Sequence, residues 1–153
     1  MSKFSLYIVV FYIFAHQIDI VIGEIMVQVA VIAGSASDQA IIDKAVKTLE
    51  SYNVTYECKI LSAHRDAEAL DEYVKNADAQ VFICIAGMSA ALPGVVAART
   101  KKPVIGVPVS GKIAGGLDAL LSIAQMPRGV PVACMAVDGG ENAAHFAYRI
   151  LSL

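Results

Sequence analysis

A chain of 153 residues has room for one domain with a proper core and not for two ordinary ones. With 57% apolar and only 17% charged residues it lies far from the disordered class, and the apolar excess over what a small monomer needs points to subunit contacts. The 12 basic and 14 acidic residues give a formal charge of -2 with no long Lys/Arg cluster, which argues against a nucleic-acid partner.

The first 25 residues stand apart. Residues 4–15 are almost wholly apolar, but His16, Gln17 and Asp19 interrupt the run well before the roughly 18 apolar residues of a membrane span. Lys3 is a thin basic start and Ile22-Gly23-Glu24 a poor cleavage site for a secretory signal. The expectation is a start of translation at Met26, with residues 26–153 as the single domain; if residues 1–25 are made, they add a strand or helix on an apolar surface.

From residue 27 onward strand and helix patterns alternate without linker or repeat. Residues 27–33 form a nearly continuous apolar run, as in a parallel strand covered on both faces. Ser37 or Asp38 then caps a helix with Ile41, Ile42, Ala45, Val46 and Leu49 on one stripe. Residues 55–61 read as the second strand, and Asp66 caps a helix carrying Leu70, Tyr73, Val74 and Ala77 inward. Residues 81–86 are the third strand, followed by a helix over 90–100 with Pro93 in its first turn.

Residues 103–108 give a short fourth strand between two prolines. The segment 117–126 is apolar nearly all round and predicts a helix buried on two sides, in a subunit interface. Residues 130–137 read as a fifth strand, and 142–151 as a last helix with Ala143, Phe146, Ala147 and Ile150 inward. Five strands alternating with helices imply right-handed crossovers and a three-layer, doubly wound α/β/α sheet. Ligands of such sheets bind beyond the carboxyl ends of the strands.

Three loops lie at such ends. Gly34-Ser35-Ala36-Ser37-Asp38 offers backbone N–H groups and two hydroxyls to a phosphate, and Asp38 can accept from sugar hydroxyls; an ordinary βα turn with a Ser/Asp cap has the same composition. Without a Walker lysine or a third glycine, it suits a monophosphate ester better than ATP or NAD.

In Ser62-Ala63-His64-Arg65 an imidazole, able to take and return a proton near neutral pH, stands beside a fixed cation able to hold an anion; the plain alternative is a solvated loop histidine. His16 and His145 fit that plainer role, the latter on a terminal helix with no polar partner in view. The loop from Gly87 through Met88, Ser89, Ala90, Ala91 and Leu92 is made of small residues, so backbone can approach a flat ligand closely, or simply pack strand against helix.

No H-x-x-H, carboxylate cluster or Cys pair suggests a metal, and no Gly-x-Ser-x-Gly elbow suggests a hydrolase. Cys58, Cys84 and Cys134 are odd in number and widely spaced in apolar runs, as small core residues of a reducing cytoplasm would be.

Together with Pro103-Val104-Ile105-Gly106-Val107-Pro108 and the segment Gln125-Met126-Pro127-Arg128-Gly129-Val130-Pro131, these motifs closely resemble the PurE family, the N5-carboxyaminoimidazole ribonucleotide mutases of purine biosynthesis. The resemblance runs from about Met26 to the end. It implies a flavodoxin-like fold, a cytoplasmic homo-octamer, and an enzyme without cofactor or metal that moves a carboxylate from N5 to C4 of a ribonucleotide by decarboxylation and recarboxylation. His64 matches the proton-shuttling histidine. Gly34, Ser35, Ser37, Asp38 and Arg65 match residues holding phosphate and ribose, and Ser62, Ala63, Gly87, Met88, Ser89, Ala90 and Leu92 match those lining the base and CO2 pocket.

Two positions depart from the bacterial pattern: Asp66-Ala67 replaces Thr-Pro, and Ala91 replaces a histidine. The competing readings are a carboxylase using free CO2 on aminoimidazole ribonucleotide, a related carboxylase of the lactate racemase cofactor pathway, and a non-catalytic nucleotide-binding module.

Overall fold

The computed structural model describes residues 7–14, 17–24 and 26–153. Strands β1 (Tyr7–Phe14) and β2 (Gln17–Glu24) pair antiparallel as a separate two-stranded sheet. No helix among the described residues is long and apolar enough to cross a membrane.

The main sheet contains β3 (Val29–Ala33), β4 (Tyr56–Ile60), β5 (Val81–Ala86), β6 (Val104–Pro108) and β7 (Ala133–Cys134). All pairings are parallel in the order β4-β3-β5-β6-β7, a flavodoxin-like arrangement. Every residue of β3, β5 and β6 is buried, which explains their unbroken apolar runs. The strand period of two divides their side chains between two apolar layers. Val29, Val31 and Ala33 pack with residues of helices α1 (Gln39–Ser51) and α5 (Gly140–Leu151). Ala30 and Ile32 pack with residues of α2 (Ala67–Asn76), α3 (Leu92–Ala97) and α4 (Leu117–Ala124).

Several elements differ from the sequence expectation. The fifth strand is two residues long rather than eight, because only Ala133 and Cys134 pair with β6 and the chain then turns toward its carboxyl end. There Met135 N–H donates to the Gly106 carbonyl and Asp138 N–H to that of Pro108. Helix α3 spans Leu92–Ala97 instead of 90–100, leaving Ala90 and Ala91 to the preceding loop. Helix α4 stops at Ala124, ahead of Pro127. Its inner face is Ala119 and Ile123, while Leu117 and Leu121 are 45% and 50% exposed, so within one chain it is covered on one side only.

Helix α5 presents Ala143, Ala144 and Ala147 to the core, not Phe146, which is 37% exposed. The small stripe lets α5 lie close on α1: a Cβ at Gly140 would collide with the Ile41 carbonyl. His145, unpartnered in the sequence reading, has Nδ1 2.8 Å from the Tyr52 hydroxyl, and Tyr52 stacks on Tyr148 at 3.9 Å.

Candidate active site

Strand β3 runs between β4 and β5, so the chain reverses its winding direction there and the loops after these strands part to leave a crevice. The loops after β3, β4, β5 and β6 surround a cavity of about 870 Å³. Of the residues expected from sequence, Gly34, Ser35, Ser37, Asp38, Ser62, Ala63, His64, Arg65, Gly87, Met88, Ser89 and Leu92 line it. Ala90 does not; it is buried in the apolar layer with Leu92 and Val96.

The loop after β3 is anchored by Gly34, whose N–H donates to the Ile85 carbonyl at 3.0 Å. Ser35, extended at φ -153°, caps the short 3-10 turn Ala36–Asp38 by accepting from Ser37 N–H at 3.2 Å. Ser35 is thus the cap of the 3-10 turn, while Asp38, one of the two expected residues, stands at the N-cap position of α1 without making a side-chain cap bond to it. The Ser37 hydroxyl lies 2.8 Å from Ser35 Oγ and 3.1 Å from Asp38 Oδ1, and its single proton serves one of them at a time. Asp38 is buried, and burial pushes its pKa up; the Ser37 bond opposes the shift and the charge of Asp138 adds to it.

The loop after β4 closes around buried Ser62. Its Oγ accepts from His64 N–H and Arg65 N–H, both at 3.3 Å, while Ser62 N–H donates to Asp66 Oδ2 at 2.9 Å. Asp66 occupies the N-cap position of α2, but its carboxylate faces back to Ser62 instead of capping the helix. With the backbone amides satisfied internally, the side chains of His64 and Arg65 are exposed at the cavity. Arg65 Nη2 donates to the Gly34 carbonyl at 2.8 Å.

The loop after β5 forms the middle wall. Met88 adopts a left-handed conformation, φ 55°, and its side chain is 75% exposed at the cavity. Gly87 lies against Val109, where a Cβ would stand 3.2 Å from that residue's own Cβ. Ala91 is also part of the wall.

Sequence reasoning missed the fourth wall. Val109, Ser110, Gly111, Lys112, Ile113 and, on α4, Asp118 all line the cavity. The signal was available, since the carboxyl-end rule applies to the loop after β6 as much as to the first three. Asp118 Oδ1 is buried without a hydrogen-bond partner among the described residues. The Lys, Arg, Asp and Glu side chains of the cavity are therefore Arg65 and Lys112 against Asp38 and Asp118, with the His64 imidazole on the same wall as Arg65.

The family model described as AIR carboxylase matches residues 28–153. The N5-carboxyaminoimidazole ribonucleotide mutase of Methanocaldococcus jannaschii is 54% identical over 125 residues, covering 82% of this chain and 79% of that protein. The mutase of Aquifex aeolicus is 48% identical over 128 residues, covering 82% of this chain and 77% of its own. Among solved structures, Treponema denticola PurE aligns with a TM-score of 0.74 at 32% identity, covering 82% of this chain and 80% of that one.

Proposed function

The chain belongs to the AIR carboxylase family, and from that membership and the residues of the cavity we propose that it is an N5-carboxyaminoimidazole ribonucleotide mutase of purine biosynthesis. The observation that carries the reading is the position of His64, on the same cavity as the Ser35, Ser37 and Asp38 loop and the small-residue wall from Gly87 to Leu92.

In this reading the phosphate lies at Ser35, Ser37 and Arg65, where hydroxyls and a guanidinium provide donors to an anion. Asp38 accepts from the ribose hydroxyls. The imidazole ring lies along the wall of Gly87, Ser89 and Leu92, where small residues admit a flat ring. The N5–carboxylate bond breaks as His64, in its protonated form, gives a proton to N5, releasing CO2 and aminoimidazole ribonucleotide. The electron pair of C4 then forms the new carbon–carbon bond to CO2, and neutral His64 removes the C4 proton, restoring the ring and its own charge. Retention matters because CO2 is small and uncharged, and escape competes with the second step. Met88, exposed at the cavity, is placed to cover it.

The reaction uses no cofactor or metal in this account. The protein is assigned to the cytoplasm and to a homo-octamer, and the open face of α4, with Leu117 and Leu121, is the surface we assign to subunit contact.

The test is conversion of N5-carboxyaminoimidazole ribonucleotide to its C4-carboxylated isomer at low bicarbonate, run beside aminoimidazole ribonucleotide plus bicarbonate. Turnover of the first substrate supports the mutase. Turnover of the second alone makes the protein a carboxylase using CO2, and silence in both removes both assignments. His64→Asn is expected to lower turnover by about 10²- to 10⁴-fold with ribonucleotide binding retained.

A further inference from the structure

We propose that Lys112 is the cation that holds the migrating carboxylate, opposite the phosphate end of the ligand. The assignment rests on the mutase reading and deepens it. Arg65 and Lys112 are the only Lys or Arg side chains lining the cavity among the described residues, and they come from loops on opposite sides of it. The sheet order puts the loops after β4 and β3 on one side, the loop after β5 in the middle and the loop after β6 beyond it. Two strand spacings separate β3 from β6, about 10 Å, comparable to the reach of a ribonucleotide from its phosphate to the far edge of its base. Arg65 is committed to the β3 side by its bond to the Gly34 carbonyl. Lys112 makes no ion pair among the described residues.

The loop that carries Lys112 is built to hold it in place. Val109 N–H donates to the Ala86 carbonyl at 3.0 Å, and Ser110 N–H to Asp138 Oδ1 at 2.8 Å. At the other end Gly116, with φ 102°, packs so tightly on Val109 and Ser110 that a Cβ would lie 2.9 Å from the Ser110 Cα and the Val109 carbonyl oxygen. Both ends of the loop are thus pinned at the β6 terminus while Lys112 remains exposed on the cavity wall. A ligand with a phosphate at one end and a carboxylate at the other has one cation for each.

The test compares two ligands that share phosphate and ribose and differ in the carboxylate: aminoimidazole ribonucleotide and its C4-carboxylated form. Calorimetric titration of wild type, Lys112→Met and Lys112→Arg with each is expected to show Lys112→Met weakening the carboxylated ligand by about 10- to 100-fold. The uncarboxylated ligand should change by less than about threefold, within the range of a surface substitution, and Lys112→Arg should recover most of the loss. In turnover, KM for the N5-carboxylated substrate should rise in Lys112→Met. Equal weakening of both ligands would place Lys112 at the phosphate or in loop support and overturn the assignment, as would no weakening of either. A wild-type protein that binds neither ribonucleotide removes the mutase reading and this assignment with it, whereas normal wild-type binding with an indifferent Lys112→Met removes this assignment alone.

Discussion

Arg65 Nη2 and the carbonyl oxygen of Gly34 are 2.8 Å apart, and this single bond joins the loop after β4 to the loop after β3. It fixes one edge of the guanidinium and leaves the other donors for an anion. The same residue therefore shapes the cavity and charges it.

Arg65→Ala should weaken ribonucleotide binding by about 10- to 100-fold, the scale of a lost charge-assisted hydrogen bond. Arg65→Lys should recover only part of this, since an ammonium cannot bond the Gly34 carbonyl and a phosphate in the same forked geometry. Titration calorimetry with aminoimidazole ribonucleotide gives the comparison, and full recovery by lysine would show that charge alone matters.

Asp38 makes a second prediction, this time in pH. Its carboxyl is raised in the folded chain, first by burial, so the native state holds the proton more tightly than the unfolded chain does. Stability from this group is complete below the ordinary value of 3.8 and is lost as pH rises through the folded value. Asp38→Asn should melt higher than wild type near neutral pH, with the advantage vanishing below pH 3.8. The same variant should bind the ribonucleotide more weakly. Melting curves across pH would refute the argument if the advantage grew on acidification.

Gly106 stands in the middle of β6, where a methyl group would overlap Ile123 and crowd Val132 and Pro93. Gly106→Ala should cost about 1 to 3 kcal/mol through overpacking, lowering Tm by several degrees. An unchanged Tm by calorimetry would mean that α4 moves away without penalty.

Leu121→Lys tests the assembly. Leu121 is half exposed on α4, and a charge on a subunit contact would be desolvated without a partner. Sedimentation should show the variant as smaller species than wild type at the same concentration. A variant that sediments as wild type does would move the contact elsewhere.

Much of this was readable in the chain. The limits of β5 follow the apolar run 81–86, and twelve of the thirteen site residues named from sequence face one cavity. The failures have physical causes. Residues 130–137 are apolar enough for a strand, but pairing depends on register with an adjacent edge, and only Ala133 and Cys134 fall in register with β6, opposite Ile105 and Gly106. In α5 the helical period admits Phe146 on the same face as Ala143 and Ala147; close approach to α1 instead selects the alanine stripe beside Gly140. The loop holding Lys112 has no hydrophobic period, and its shape comes from Asp138, 28 residues away from Ser110. The Thr-Pro departure has a local account: Asp66 supplies the acceptor that closes the Ser62 turn.

Helix α4 has a role on each of two sides. Asp118 lines the cavity, while Leu117 and Leu121 on the same two turns face outward. A neighbour that covers those leucines grips a wall of the cavity through a single rigid rod, so specific activity becomes a function of protein concentration. Progress curves begun by diluting a concentrated stock should then slow with time as the assembly comes apart, and those begun from stock held at the assay concentration should run at the lower rate from the start.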